Sequence, residues 1–165
     1  MPDRSTTERA KQDLREGKAP STAAGEFVHE EIEHVREGKH GARSPQQAIA
    51  IGLSKARRAG VPLPPQKKGN AKETTRAGAK RAYEKGQAGD DQKPSRASRA
   101  RSSVLKQESH RSTSRGALSA QARGAARGRS AASRSASARK AVATKGGAGR
   151  HAAAQKAGRT RARHG

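Results

Sequence analysis

The residues best suited to chemistry lie in segment 93–165, where 19 lysines and arginines accompany a single acidic residue, Glu108. Fourteen of the 19 are arginines, whose guanidinium groups can hold a phosphate through two parallel hydrogen bonds. A polycation of this kind binds nucleic acid by displacing the small ions condensed along the phosphate backbone. The segment, with a net charge of +18, is therefore predicted to bind nucleic acid, with DNA preferred and RNA left open.

The predicted phosphate contacts are the basic residues spread along this segment. They are Arg96, Arg99, Arg101, Arg111, Arg115, Arg123, Arg127, Arg129, Arg134, Arg139, Lys140, Lys145, Arg150, Lys156, Arg159, Arg161 and Arg163. The segment contains no aromatic residue, so bases cannot stack on it as they do on single-strand binding proteins. This composition predicts contacts to the backbone that tolerate any base sequence. A segment that only keeps the chain in solution is the alternative.

A second group that could do chemistry is HEEIEH, from His29 to His34. Zinc-binding helices carry His-Glu-x-x-His, with both histidines on one face. Here the two histidines are five residues apart, which places them about 140° apart around a helix. They could not share a metal ion without breaking the helix, so no metal site is predicted.

The sequence offers no arrangement for catalysis. It has no cysteine, which excludes a thiol nucleophile, a thiolate metal site and a disulfide. It also lacks the glycine-rich loop with Gly-Lys-Ser/Thr that cradles phosphates in nucleotide-binding enzymes. We expect a protein that is not an enzyme and uses no cofactor. No apolar run approaches the roughly 20 residues of a membrane span, and no secretory segment is expected, so a cytoplasmic location without a membrane partner is predicted.

The element most able to fold is an antiparallel helical hairpin at about 21–60. Pro20 and Gly38 bound its first helix. Ser44 and Gln47 form a capping box at the start of the second helix, and Gly60 suits its end. Apolar residues at helical spacing are predicted to form the seam between the helices. They are Phe27, Val28, Ile32, Val35, Ile49, Leu53 and Ala56.

The hairpin carries six basic and five acidic residues and is nearly neutral. It is about 40 residues long, a size that usually needs a partner to be stable, so self-association or a protein partner is expected. A helix-turn-helix is an alternative, since Gln46 and Gln47 lie where base-reading residues often sit. Its connection of seven residues is longer than the usual 3–4, and its first helix is acidic, which disfavours this interpretation.

The remainder is predicted to lack a core. Valine, isoleucine, leucine and phenylalanine total 14 of 165 residues, and a fraction below about one fifth with high net charge is typical of disorder. We therefore predict a mostly disordered chain with a small all-α element. Segment 1–20 is polar with a frayed helix, 61–92 is a Pro/Lys linker with a weak helix at 71–85, and 93–165 is a disordered, low-complexity basic tail.

The stretch Gly25–Pro64, and above all the block QAIAIGLSKAR at Gln47–Arg57, resembles a bacterial domain-of-unknown-function family of small basic proteins. The Ala/Arg/Ser tail is similar in composition to bacterial histone-like proteins. The resemblance implies a bacterial source and supplies no catalytic residue. With the composition, it leads to the hypothesis of a non-enzymatic, nucleoid-associated DNA-binding protein. A protein-interaction module built on the hairpin, and RNA or ribosome binding, are the alternatives.

Overall fold

The elements are all helical in the part of the chain that the structure describes. The computed structural model describes residues 2–69, 71–89 and 96–164. Residues 90–95, where the linker was predicted to meet the tail, lie outside them, as does Asn70. The helices are α1 (Arg4–Arg15), α2 (Pro20–Arg36), α3 (Pro45–Arg58), α4 (Glu73–Gln87), α5 (Arg96–Lys106), a 3₁₀ helix (His110–Thr113), α6 (Arg115–Arg127) and α7 (Ala131–His164). The chain divides into two units, residues 1–121 and 122–165.

Helices α2 and α3 form the centre of the first unit. Each begins with a proline, a residue suited to the first helical position because its missing N–H has no helical partner. The hydroxyl of Ser44 accepts a hydrogen bond from the N–H of Gln47 at 3.2 Å. Gly52 lets the two backbones approach closely, since a Cβ there would lie 2.6 Å from the Cα of Val28.

The seam between these helices is lined largely by small residues. Phe27, Val35 and Ala56 are fully buried, whereas Val28, Ile32, Ile49 and Leu53 are partly exposed. One apolar cluster joins Phe27 and Ala56 to alanines of α1 and α2 and to Val61, and another joins Val35 to Ala42 and Ala48. Alanines thus occupy most core positions, which is why a count of larger aliphatic residues underestimates this core.

Helix α1 packs against α2 and is not a frayed end. Thr6 and Ala10 are almost fully buried. The backbone N–H of Asp3 donates to the carboxylate of Glu30 at 3.1 Å, and an ion pair of 2.6 Å joins Arg9 to Glu26. Hydrophobic pattern alone missed this docking because the fully buried residues of α1 are an alanine and a threonine, and Leu14 is the only large aliphatic residue of α1 that packs against the cluster.

The segment after α3 is anchored to the first unit at both of its ends. Val61 is buried against the first cluster. Helix α4 packs along α3, and a Cβ at Gly86 would lie 1.8 Å from the carbonyl oxygen of Arg57. The side-chain amide of Gln87 donates to the carbonyl of Gly60 at 3.1 Å.

The first part of the predicted tail is also folded onto the first unit, so the prediction of a mostly disordered chain is wrong. Backbone N–H groups of Gly41 and Ala42 donate to the carbonyls of Leu105 and Ser109 at 2.8 and 3.1 Å. Thr113, in the 3₁₀ helix, is fully buried, and its carbonyl accepts a hydrogen bond from Arg36 at 3.1 Å. Hydrogen bonds to the backbone hold this segment without large apolar side chains.

The second unit is helical and exposed. It contains the end of α6 and all of α7, and α7 is interrupted at Gly146, which has a φ of 62°. The interpretation of an intrinsically disordered tail is therefore wrong here as well. Its physical basis was the scarcity of large apolar residues, but the chain has 33 alanines, and alanine is the residue that most favours a helix. Among the described residues, no helix is both long enough and apolar enough to cross a membrane.

Candidate nucleic-acid interface

The predicted phosphate-binding residues are exposed wherever the structure describes their side chains. Five of them, Arg96, Arg99, Lys145, Arg161 and Arg163, lie in helices, but their side chains fall outside the described part of the structure. The other twelve are exposed. Arg101 lies on α5 and Arg111 in the 3₁₀ helix, whereas most of the others lie on α6 and α7.

The second unit concentrates positive charge without internal neutralisation. It contains twelve lysines and arginines and no aspartate or glutamate. All 14 acidic residues of the chain lie at or before Glu108, and Glu108 is itself paired with Arg43 at 3.1 Å. The guanidinium groups of this unit therefore have no carboxylate side chain within the unit to pair with. They present a field that attracts a polyanion.

The cations of α7 are distributed around the helix. Successive residues of an α-helix are rotated by about 100°, so Arg139 and Lys140 lie about 140° and 240° from Arg134. Beyond Gly146, Lys156 and Arg159 lie about 240° and 180° from Arg150 by the same rotation. A helix charged on all sides can contact phosphates on both walls of a groove, whereas a single stripe could contact only one.

Some of these arginines also stabilise the local backbone. Arg134 donates to the carbonyls of Ala126 and Arg129, near the end of α6, where unpaired carbonyls remain. The guanidinium of Arg150 donates to the carbonyl of Gly146 at 3.1 Å. These acceptors are neutral, so both arginines keep their full positive charge for an external anion.

A cleft between α3 and α4 holds further arginines, most of which are engaged. It has a volume of about 320 Å³ and is lined by Arg57, Arg58, Arg76 and Arg101 among others. Arg57 is buried and donates to the carbonyl of Leu63 at 3.1 Å, and burial lowers its pKa. Arg76 is bound to Glu73 at 2.7 Å. Arg57 and Arg76 are therefore less available to an external anion than the exposed cations of the second unit.

The two glutamines of the helix-turn-helix alternative are occupied within the first unit. The side-chain oxygen of Gln47 accepts a hydrogen bond from the N–H of Arg43 at 2.7 Å. The side chain of Gln46 is hydrogen-bonded to Gln121. Base-reading by α3 would require both contacts to break, so the geometry gives this alternative no support.

Polar groups cluster near His34, but without His29, which is exposed. One ligand atom each from Glu31, His34 and His40 lie within 4.8 Å of one another. The ammonium group of Lys55 lies 2.7 Å from Glu31 Oε2 and 3.3 Å from Glu30 Oε1. The sequence did not predict this cluster because His40 lies beyond the end of α2 and Lys55 lies on α3. The only signal was a histidine shortly after the glycine that ends α2.

The chain is similar to a known family within its first unit. The model of a family of unknown function (DUF6496) matches residues 9–68, from within α1 to the segment before α4. This similarity agrees in kind with the resemblance to a family of unknown function. No curated protein and no solved structure matches the chain.

Proposed function

We propose that this protein binds DNA without sequence preference, through phosphate contacts made by its second unit. The observation that carries the proposal is that residues 122–165 form exposed helices with twelve lysines and arginines and no acidic residue. In the bacterial cell implied by the resemblance, such a protein would be associated with the nucleoid. The first unit would then act as a folded body that carries the cationic helices.

The helical form of the second unit favours DNA over RNA as the partner. The major groove of B-DNA is about 12 Å wide and admits an α-helix. The major groove of A-form RNA is deep and narrow and excludes side chains. Cations on all sides of α7 suit an α-helix that lies in a groove with phosphates along both of its walls. Tight binding of structured RNA stays an alternative, to be tested by direct competition.

The protein-interaction alternative receives less support from the geometry. The buried part of the α2–α3 seam packs within the chain against α1 and Val61. Self-pairing through this seam would require α1 to leave. No observation names a protein partner, so this alternative remains a prediction.

The proposal is tested by electrophoretic mobility shift on a random-sequence duplex at several salt concentrations. Each neutralised phosphate contributes about −0.9 to the slope of log K against log salt. A variant with Arg139→Gln, Lys156→Gln and Arg159→Gln is expected to bind more weakly, with a slope shallower by about 3.

A matched control removes the same number of exposed charges from the first unit, by Lys11→Gln, Arg15→Gln and Arg81→Gln. This control should keep most of the affinity and the original slope. Affinity that does not depend on salt, or equal losses in the two variants, would contradict the proposal. An excess of structured RNA that displaces the duplex more effectively than cold duplex would favour the RNA alternative.

A further inference from the structure

We propose that Glu31, His34 and His40 form a binding site for a divalent metal ion, with the coordination chemistry of zinc. Glu31 and His34 are three residues apart on one face of α2, and His40 returns to that face after the turn at Gly38, which has a φ of 76°. One carboxylate and two imidazoles constitute a ligand set that zinc accepts. The inference is independent of nucleic-acid binding.

The hydrogen bonding of His40 indicates which of its nitrogens faces the cluster. Its Nδ1 lies 3.0 Å from the carbonyl oxygen of Gly41. A carbonyl can only accept, so Nδ1 carries the proton and donates it. In neutral His40, Nε2 then carries a lone pair and no proton. This nitrogen lies 3.3 Å from Glu31 Oε1. Two lone pairs face each other, an arrangement that calls for a cation between them.

The carboxylate of Glu31 gives the second, separate observation. Its side chain is completely buried, and neither carboxylate oxygen accepts a hydrogen bond from the described residues. Lys55 lies 2.7 Å from Oε2 as an ion-pair partner, outside hydrogen-bond geometry. Oε1, the oxygen that faces His40, has no such ion pair with Lys55. Its positive partner must come from the imidazole of His40 or from a bound ion. Buried charges without partners are costly.

The separation of His40 Nε2 and Glu31 Oε1 suits tetrahedral coordination, and a ligand atom of His34 lies within 4.8 Å of the ligand atoms of both residues. Bonds of about 2.0–2.1 Å to nitrogen and oxygen place adjacent ligand atoms of tetrahedral zinc roughly 3.3 Å apart. This is the observed separation of His40 Nε2 and Glu31 Oε1. The hydrogen bond from Nδ1 of His40 to a backbone carbonyl is the support that metal-binding histidines usually have.

The surrounding charges also favour a cation. Glu30 lies on the same helix, with Oε1 at 3.9 Å from His34 Nδ1, and Asp3 lies 3.6 Å from His34 Nε2. With Glu31 these are three carboxylates, and the ammonium groups near them are those of Lys55 and, at longer range, Lys39. The excess of carboxylates over ammonium groups favours binding of a further cation. Lys55 holds Glu31 Oε2 and Glu30 Oε1, so Glu31 Oε1 stays available as a ligand.

The turn that carries His40 is held rigidly enough to serve such a site. Gly41 and Ala42 are hydrogen-bonded to Leu105 and Ser109. His40 is therefore fixed by its neighbours on the chain before any ion binds. Preorganisation of this kind lowers the cost of bringing ligands together.

The test is isothermal titration of the metal-free, full-length protein with Zn²⁺, with Co²⁺ absorption as a second readout of tetrahedral geometry. The expected result is one tightly bound ion per chain. His40→Gln should weaken Zn²⁺ binding at least about tenfold, as should His34→Gln. The matched control is His29→Gln, which removes an exposed histidine of the same helix and should leave binding unchanged.

Unfolding followed by circular dichroism separates loss of the site from loss of the fold. Zn²⁺ should raise the Tm of the native protein and of the His29→Gln variant, but not that of the His40→Gln variant. Three results would overturn the proposal: no stoichiometric binding in the native chain, equal weakening in the His29→Gln and His40→Gln variants, or unchanged binding in the His40→Gln variant. If the native chain bound no stoichiometric Zn²⁺, the positive partner of Glu31 Oε1 would instead be a proton on the His40 imidazole.

Discussion

Gly41 lies directly against the backbone of Glu108, so closely that a Cβ at Gly41 would be 1.8 Å from the carbonyl oxygen of Glu108. The side chain of Glu108 is paired with Arg43, two residues further along the turn. Residues 105–109 therefore hold the turn between α2 and α3 from outside. The single acidic residue of the basic segment is used for this attachment.

Substitution of this glycine tests the attachment. Gly41→Ala forces two backbone segments apart, and overpacking of this kind typically costs about 1–3 kcal/mol or more. We expect a corresponding fall in the free energy of unfolding measured by urea denaturation. Gly25→Ala is the control, because a Cβ at this helical position meets nothing within 4 Å and alanine favours a helix by about 0.5–1 kcal/mol. Equal effects of the two changes would contradict the contact.

Truncation separates the two units. A chain ending at Gln121 should retain the thermal unfolding transition of the full protein, because all the described buried residues precede this point. The same chain should lose DNA binding. A chain ending at residue 95 should unfold at lower temperature. It lacks the buried Thr113 and the carbonyl of Leu105 that accepts a hydrogen bond from Gly41. If the chain ending at residue 95 were as stable as the one ending at Gln121, the docking of α5 and the 3₁₀ helix would be wrong.

Phe27 is the largest fully buried side chain, and its removal tests the alanine-rich core. Phe27→Ala should reduce the free energy of unfolding by about 3–5 kcal/mol, because small neighbours cannot fill the cavity. Val104→Ala is the control, since Val104 is 53% exposed and surface changes usually stay within about 0.5 kcal/mol. The measurement is urea denaturation followed by helical circular dichroism. A loss below about 1 kcal/mol for Phe27→Ala would show that this core is not formed.

Lys55 tests the charge balance of the buried cluster. Lys55→Gln leaves Glu30 and Glu31 without their ammonium partner, and breaking a buried ion pair from one side costs about 3–5 kcal/mol. Lys80→Gln is the control, because its pair with Glu84 is exposed and spans 3.7 Å, so its loss should cost at most about 1 kcal/mol. Both variants are compared by chemical denaturation. Added Zn²⁺ should return part of the stability lost in the Lys55→Gln variant.

The sequence determines local features of this fold better than long-range ones. Ser44 and the prolines that begin α2 and α3 act on their immediate neighbours, so their effect can be predicted from the sequence. The packing of α1 through Thr6 and Ala10 has no such signature, because neither residue belongs to a pattern of large apolar side chains. A count of large apolar side chains predicted disorder, whereas alanine occupies most core positions of the first unit and is frequent in the exposed helices of the second unit.

The candidate sites differ in the same way. The charge of the second unit is a property of composition and was predicted without any coordinates. Its helical form was not predicted, because the prediction of disorder depended on the scarcity of large apolar residues, whereas alanine favours a helix without them. The cluster of Glu31, His34 and His40 depends on a reversal of the chain at Gly38, and no spacing in the sequence specifies where His40 returns.

Gly146 divides α7 into stretches 131–145 and 147–164, roughly 22 and 27 Å long at about 1.5 Å per residue. A full turn of the B-form duplex rises about 34 Å, so neither stretch is as long as one turn. One straight, unbroken α-helix of this total length would leave the surface of the duplex, because the groove winds around the duplex axis. If the second unit binds DNA as proposed, the break at Gly146 would allow the second stretch to change direction and follow the groove. The length of one straight helix would then not limit how many phosphates the chain can contact.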